Sequence, residues 1–410
     1  MENNLPKYFC EHIWTHLYKD TDDSVKLCCI DRGESLGNLK ESTVEEIRNG
    51  EEFKKIRRDV LDGKKLERCI RCWENEDKGL SSYRLSESQY DVSKFTEKSN
   101  PINFLDYRVD NVCNLGCKSC GAAFSTKLID VDLKLGNITE EQAKSWRYVN
   151  KKNTNISEIT NHISELNDIY FAGGEPILNQ QHWDTLNYLK ENNKLGNTVI
   201  SYSTNLTKLD FKKYKVEDYW PYISELNVMA SIDGMGNNFE YFRTGANWNQ
   251  ILKNIKRVND IDDSILSISS TVNWMNIKSI LSLFTYLLDN NLVSSFDKLD
   301  LNSIINHIGA SVSATPKIAR DEILYEIDIF LKYVKDNYND FIESELVKTL
   351  YSYKKDISNS EENPYELYRW LVRLKAIDNQ YGTNIENILD FKSNDVNEYI
   401  RRIYSKIKIS

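Results

Sequence analysis

Cysteine carries the softest common ligand among the side chains, and this chain sets three of them on one short run. Asn111-Val112-Cys113-Asn114-Leu115-Gly116-Cys117-Lys118-Ser119-Cys120 has the spacing C-x3-C-x2-C. Soft thiolates select iron–sulfur clusters or zinc. Three thiolates on one loop suit one face of a cubane 4Fe-4S cluster and leave its fourth iron open, a place to bind and reduce a substrate. A closed structural zinc site needs a fourth ligand, and none stands close in sequence. A second constellation comprises Cys10, Cys28, Cys29 and the pair in Cys69-Ile70-Arg71-Cys72. C-x2-C is a metal hairpin, whose further ligands are expected from Cys10 and from Cys28 or Cys29. Here four-thiolate zinc is a chemically plausible alternative, because zinc shares the ligand set.

Other polar groups stand where strands are expected to end. Ala172-Gly173-Gly174-Glu175-Pro176 pairs glycines, which let backbone approach a ligand closely, with a carboxylate able to accept from an ammonium group. A tight turn with proline at the first helical position gives the same pattern. Ser203-Thr204-Asn205 and Ala230-Ser231-Ile232-Asp233-Gly234 also follow apolar runs, and Tyr241-Phe242-Arg243 supplies an arginine whose fork suits a carboxylate. For Ser203, Thr204 and Asn205 the competing reading is a capped turn, and for Arg243 a surface salt bridge. His12, His16, His162, His182 and His307 share no spacing and read as packed or capping residues.

Together these motifs resemble the radical S-adenosylmethionine (SAM) enzymes. The resemblance implies that Cys113, Cys117 and Cys120 hold a 4Fe-4S cluster whose open iron chelates SAM, which is then cleaved reductively to a 5'-deoxyadenosyl radical. It implies SAM contacts from Gly173, Gly174, Glu175 and Pro176, with Glu175 on the amino group, and from Ser203, Asn205, Ser231 and Arg243, with Arg243 on the carboxylate. Asp233 then orients Arg243 or faces the substrate. Thr271-Val272-Asn273 stands where the family packs adenine. Ser119 departs from the aromatic residue usual before the third cysteine, so adenine contacts fall to Phe124 or to backbone. Residues around Cys10-Glu11-His12-Ile13-Trp14, Val25-Lys26-Leu27-Cys28-Cys29, Leu36-Gly37-Asn38-Leu39 and Glu46-Ile47-Arg48-Asn49 look like a SPASM or twitch module. That implies a second, auxiliary 4Fe-4S cluster on Cys10, Cys28, Cys69 and Cys72, with no open iron and a role in electron transfer. Two features depart from the module: it usually follows the barrel, and Asp23 stands where it has glycine five residues before the second cysteine.

The implied activity is hydrogen abstraction followed by oxidative modification of a peptide, a protein or a small molecule, with flavodoxin or ferredoxin as electron donor. A cluster- or zinc-binding electron-transfer or regulatory protein that cleaves no SAM is the other reading. It leaves Gly173-Gly174-Glu175-Pro176 and Arg243 unexplained.

Composition sets the frame. The 410 residues carry a formal charge of −9, with 40% apolar and 28% charged residues. Such a chain is expected to be globular and to have no broad attraction for nucleic acid or anionic lipid. Lys54, Lys55, Arg57, Arg58, Lys64, Lys65, Arg68 and Arg71 form a local basic stretch, read as a solvated helix face beside Glu51, Glu52 and Asp59. No apolar run reaches the length of a membrane span, and Met1-Glu2-Asn3-Asn4-Leu5-Pro6-Lys7 lacks an apolar signal region. Cytoplasmic location is expected, where cysteines serve as metal ligands before disulfides.

The elements that must position these groups read as strands at Phe104–Val109, Ile169–Ala172, Thr198–Ser203, Leu226–Ser231, Ile265–Val272 and Lys298–Asn302. Helical stretches such as Gln181–Asn192 and Trp248–Asn259 alternate with them. Strand–helix alternation implies a parallel sheet with right-handed crossovers. Six units predict an α/β fold with a partial (β/α)6 TIM-like barrel, its chemistry on the loops after the strands. The expected organisation is a small cysteine-rich domain over 1–95, the barrel over 100–312, and a helical C-terminal region over 313–410. In that last region Pro316 and Pro364 act as breakers.

Overall fold

The computed structural model describes residues 6–77, 79, 81–85, 95–148, 166–304 and 306–409. His162 lies outside them. The chain is mixed α/β and divides into two compact units, one of Met1–Val112, Tyr148–Tyr202 and Asp218–Leu226, the other of Cys113–Arg147, Ser203–Glu217 and Asn227–Ser410. No helix among the described residues is long and apolar enough to cross a membrane.

In the first unit β1 (His16–Lys19), β2 (Ser24–Lys26) and β3 (Gly37–Asn38) form an antiparallel meander. β4 (Phe104–Arg108) runs parallel to β1, placing His16 opposite Phe104 and Lys19 opposite Tyr107. β5 (Asp168–Ala172) and β6 (Val199–Thr204) extend the parallel order. The N-terminal cysteine region therefore shares a sheet with β4. Side chains alternate across these strands with period two, and Leu105, Tyr107, Ile169, Phe171, Ile200 and Tyr202 are buried. Against that apolar face the helix Gln180–Glu191 buries Trp183, Leu186 and Leu189, each worth about 1.5–3 kcal/mol on the usual area scale.

The basic stretch departs from a solvated face at Arg57. On the helix Glu51–Leu61 this residue is fully buried and donates to the carbonyls of Ile13 (3.2 Å) and Arg48 (2.6 Å). Lys54, Arg58 and Lys64 are paired at the surface with Glu51, Glu97 and Asp59.

In the second unit β7 (Asp210–Phe211) and β8 (Tyr214–Lys215) make a short hairpin. β9 (Glu225–Ser231), β10 (Leu266–Val272) and β11 (Leu299–Ser303) pair in parallel. Helices Trp248–Asn259 and Ile277–Asp289 follow β9 and β10, burying Ile251, Ile255 and Val258 from one and Leu283, Phe284 and Leu287 from the other. Past Pro316 come helices Lys317–Asn337, Glu345–Asn359, Pro364–Tyr381 and Asn394–Tyr404. The prolines act as starts: Pro316 is the cap residue of its helix, and Pro364 opens another behind Asn363, whose side chain accepts from the Glu366 N–H. All six expected strands form, their ends displaced by one residue at most. The mostly parallel sheet in each unit is compatible with a TIM-like α/β fold.

Candidate functional site

Four cysteines of the first unit line one cavity. Cys10 precedes the short helix His12–Thr15 and Cys28 lies just beyond β2. Cys69 ends a helical turn at Glu67–Cys69, and Cys72 is buried on the helix Ile70–Asp77. Tyr8, Leu27, Trp73 and Tyr83 complete the apolar wall. Cys29 is not part of it. Its thiol is pushed up to about 12, by burial first and then by the charge of Asp106. The loop bearing Cys28 is folded by Asp31, which accepts from the Leu27 N–H (3.0 Å), the Gly33 N–H (2.8 Å) and the Arg68 guanidinium (2.8 and 2.6 Å). Arg68 precedes Cys69, so this ion pair ties two cysteine-bearing loops together. Asp23, standing where the module resembled has glycine, takes φ 69°, a left-handed conformation that Asp tolerates better than most residues. Lys19 (2.8 Å) and Lys40 (3.1 Å) hold its carboxylate.

Burial pushes Cys10 and Cys69 up to about 12, with neighbouring charges, Cys69 for the one and Asp31 for the other, adding to the effect. Cys28 and Cys72 are raised for the same first reason. Buried thiols this close stay protonated unless a cationic centre draws them into thiolate form, which is what a soft metal group does. Among the described residues no three Cys, His, Asp or Glu side chains stand at the spacing of a single ion. Zinc asks for sulfurs about 2.3 Å from one point. His12 lines the same cavity, its ring stacked on Tyr83 at 4.7 Å.

The second cysteine set opens the second unit. Cys117 is buried, while Cys113 and Cys120 are half-buried. Burial pushes Cys117 up to about 12 against the lowering influence of Arg243, and Cys120 is raised by burial as well. The loop is held by backbone bonds from the Gly116 N–H to Thr244 O and from the Lys118 N–H to Phe242 O, both 2.9 Å. Ser125 Oγ donates to Leu115 O at 2.7 Å. Polar groups expected from the later strands reach this loop. Asn205 Nδ2 donates to Asn114 Oδ1 at 3.0 Å and stands 3.7 Å from Cys113 Sγ. Arg243 Nη1 lies 3.9 Å from Cys117 Sγ, while its Nε and Nη2 clasp Asp233 at 2.6 and 3.0 Å. Asp233 also accepts from the Thr271 N–H at 2.7 Å, joining the ends of β9 and β10. Ser231 is the last residue of β9, and Ser203 the penultimate residue of β6. Asn273 is spent on its own turn, accepting from the N–H groups of Met275 and Asn276.

The paired glycines lie in the first unit. Gly173 has φ 112°, and a Cβ on Gly174 would stand 2.2 Å from Val112 O. The Gly174 and Glu175 N–H groups donate to Asp110 O and Val112 O, both at 2.8 Å. The close approach that the glycines permit is thus to the chain just ahead of Cys113. Glu175 is buried and accepts from the Ile177 N–H at 3.2 Å, with Pro176 opening the helical turn Pro176–Leu178.

Residues that sequence reasoning passed over include Asn114, Lys118, Asp132, Thr207, Arg373 and Asp378, all in contact with the triad loop or its supports. Lys118 carried a signal, a charged residue between two candidate ligands. Arg373 and Asp378 sit on a C-terminal helix with no motif to mark them.

Residues 10–73 match SPASM, an iron-sulfur cluster-binding domain. The match spans Cys10, Cys28, Cys69 and Cys72 and ends short of Cys113. No curated protein matches the chain. The N-terminal region is accordingly similar to a domain that binds iron–sulfur clusters and is typical of radical SAM maturases.

Proposed function

We propose that the protein is a radical SAM enzyme, with one 4Fe-4S cluster on Cys113, Cys117 and Cys120 and an auxiliary one on Cys10, Cys28, Cys69 and Cys72. When bound, the first cluster with SAM supplies a 5'-deoxyadenosyl radical that takes hydrogen from a substrate. The observation that carries this reading is the convergence on the cysteine triad loop of Asn205, just past β6, and Arg243, at the end of the helix Gly236–Phe242 that follows β9. In this reading the parallel strands of each unit follow the strand–helix pattern of a TIM-like (β/α)6 fold, with the chemistry on the loops after them. Arg243, oriented by Asp233, pairs with the SAM carboxylate. Ser203, Asn205 and Ser231 supply further polar contacts to SAM. The apolar wall of the N-terminal cavity would keep water from a cluster on Cys10, Cys28, Cys69 and Cys72, which when bound would serve as an electron acceptor. Substrates of this reading are peptides, proteins or small molecules, reduced protein carriers such as flavodoxin or ferredoxin supply electrons, and the enzyme works in the cytoplasm.

Anaerobic reconstitution, chemical reduction and addition of SAM test the reading by chromatography of the products. 5'-Deoxyadenosine is expected from the native chain and none from Cys117→Ala. A fully loaded native protein that yields none under reduction would leave an electron-transfer role in its place.

A further inference from the structure

The helix Pro364–Tyr381 contains no cysteine, yet it closes on the backbone of the triad loop. Arg373 is only 3% exposed. Its Nε donates to Lys118 O at 3.0 Å, its Nη2 to Cys120 O, and its Nη1 to Asp132 Oδ1 at 2.6 Å. One turn and a half further on, Asp378 accepts from Lys118 Nζ, from Tyr241 Oη at 3.2 Å and from Tyr404 Oη. Lys118, fully buried, also donates to Thr383 Oγ1 at 2.9 Å. The Tyr381 ring stands so close to Gly116 that a Cβ there would lie 3.0 Å from it.

Burying a guanidinium is costly unless its donors are satisfied. Asp132 alone would pair the charge, but this carboxylate is also bound by the Ala122 N–H (2.8 Å) and Asn137 Nδ2 (3.1 Å). Two of the three donating nitrogens of Arg373 go instead to carbonyls on either side of Ser119. The positive edge of the Arg373–Asp132 pair therefore faces the turn that presents Cys117 and Cys120.

We propose that Arg373 is a positioning residue for the open-iron cluster, fixing the Cys117–Cys120 turn and favouring the reduced cluster through its directed positive charge. The assignment rests on the radical SAM reading of the triad. One-electron reduction adds a negative charge to the cluster, and a buried cation oriented toward it stabilises that form.

The test uses the full chain, reconstituted anaerobically with iron and sulfide, as native protein, Arg373→Lys, Arg373→Met and Arg373→Ala. Electron paramagnetic resonance follows a redox titration of the signal that changes on adding SAM, with iron and sulfide counted in parallel. Arg373→Met should titrate at more negative potential than the native protein, and Arg373→Lys, which keeps the charge without the fork, between them. The signal that ignores SAM, from the four-cysteine site, should not move. If loss of the side chain prevents loading, guanidinium added while reconstituting Arg373→Ala should restore the SAM-responsive signal. Unchanged potentials in fully loaded variants would overturn the assignment, as would failure of guanidinium to restore a lost signal. A native protein whose signals all ignore SAM would sink the radical SAM reading, and this assignment with it.

Discussion

Arg243 divides its donors between a carboxylate and a sulfur. Asp233 takes Nε and Nη2, leaving Nη1 beside Cys117 Sγ at 3.9 Å. A lysine in its place keeps the charge but loses the planar fork that Asp233 grips, and with it the fixed direction of the remaining nitrogen. Arg243→Lys should therefore weaken SAM binding by roughly ten- to a hundredfold, the scale of about 1.5–3 kcal/mol for a hydrogen bond to a charged group. Iron content per chain should stay unchanged. Calorimetric titration of SAM into the loaded protein, with parallel iron analysis, checks both; a loss of iron equal to the loss of binding would make Arg243 a support of the cluster loop only. His182 offers a pH test independent of any cofactor. It is fully buried against Phe171 and Trp183 with Nε2 2.9 Å from Tyr202 Oη, and burial lowers it from its ordinary 6.5 to about 3. Below pH 6.5 the unfolded chain takes a proton that the native state refuses, so the stability is present above 6.5 and lost as pH falls toward 3. Relative to His182→Gln, the native chain should lose about 1.4 kcal/mol per pH unit in that window. Urea unfolding at pH 7, 6 and 5 measures the difference, and parallel curves for the two proteins would refute the buried neutral histidine.

At the scale of elements, the strands were legible because each is an apolar run of period two or a short buried block, bounded by polar residues. Leu226, Val228 and Ala230 point one way along β9 while Asn227, Met229 and Ser231 point the other, which fixes register as well as type. The cysteine spacings were legible for a similar reason, since ligands on one loop must be neighbours in sequence. Contacts made by chemically ordinary side chains at long range were not. Arg373 is more than 250 residues from Lys118, and nothing in its helical pattern separates it from a surface arginine. The glycine pair lay between these cases: the motif was visible, but its neighbour, the backbone at Asp110–Val112, was not. Gly174 is constrained by space rather than by backbone conformation, so Gly174→Ala should destabilise by roughly 3 kcal/mol through a clash with an immovable carbonyl. Gly136 has φ 69° and open space around it, so Gly136→Ala should cost only about 1–2 kcal/mol of left-handed strain. Thermal or urea unfolding of the two variants orders them, and an equal cost would mean that the Val112 carbonyl yields.

At the scale of the whole molecule the two cysteine sets fall into different compact units, and each has its own means of support. The N-terminal set is braced by the Asp31–Arg68 pair within residues 1–112, and the triad by Arg243, Arg373 and Lys118 within the other unit. No cysteine is shared between them, so the metal inventory should be separable. The triple alanine variant at Cys113, Cys117 and Cys120 should retain about four irons and four sulfides per chain after anaerobic reconstitution, the content of one cubane. Replacing Cys69 and Cys72 together should leave a similar content that now responds to SAM, because the open-iron site remains. The first variant should give a reducible cluster whose spectrum ignores SAM, since four thiolates leave no vacant iron. Chemical iron and sulfide analysis with electron paramagnetic resonance decides between outcomes. Zinc without sulfide in the triple variant would make the N-terminal site structural and remove its electron-accepting role. Loss of all iron from either variant would instead mean that the two sites load as one.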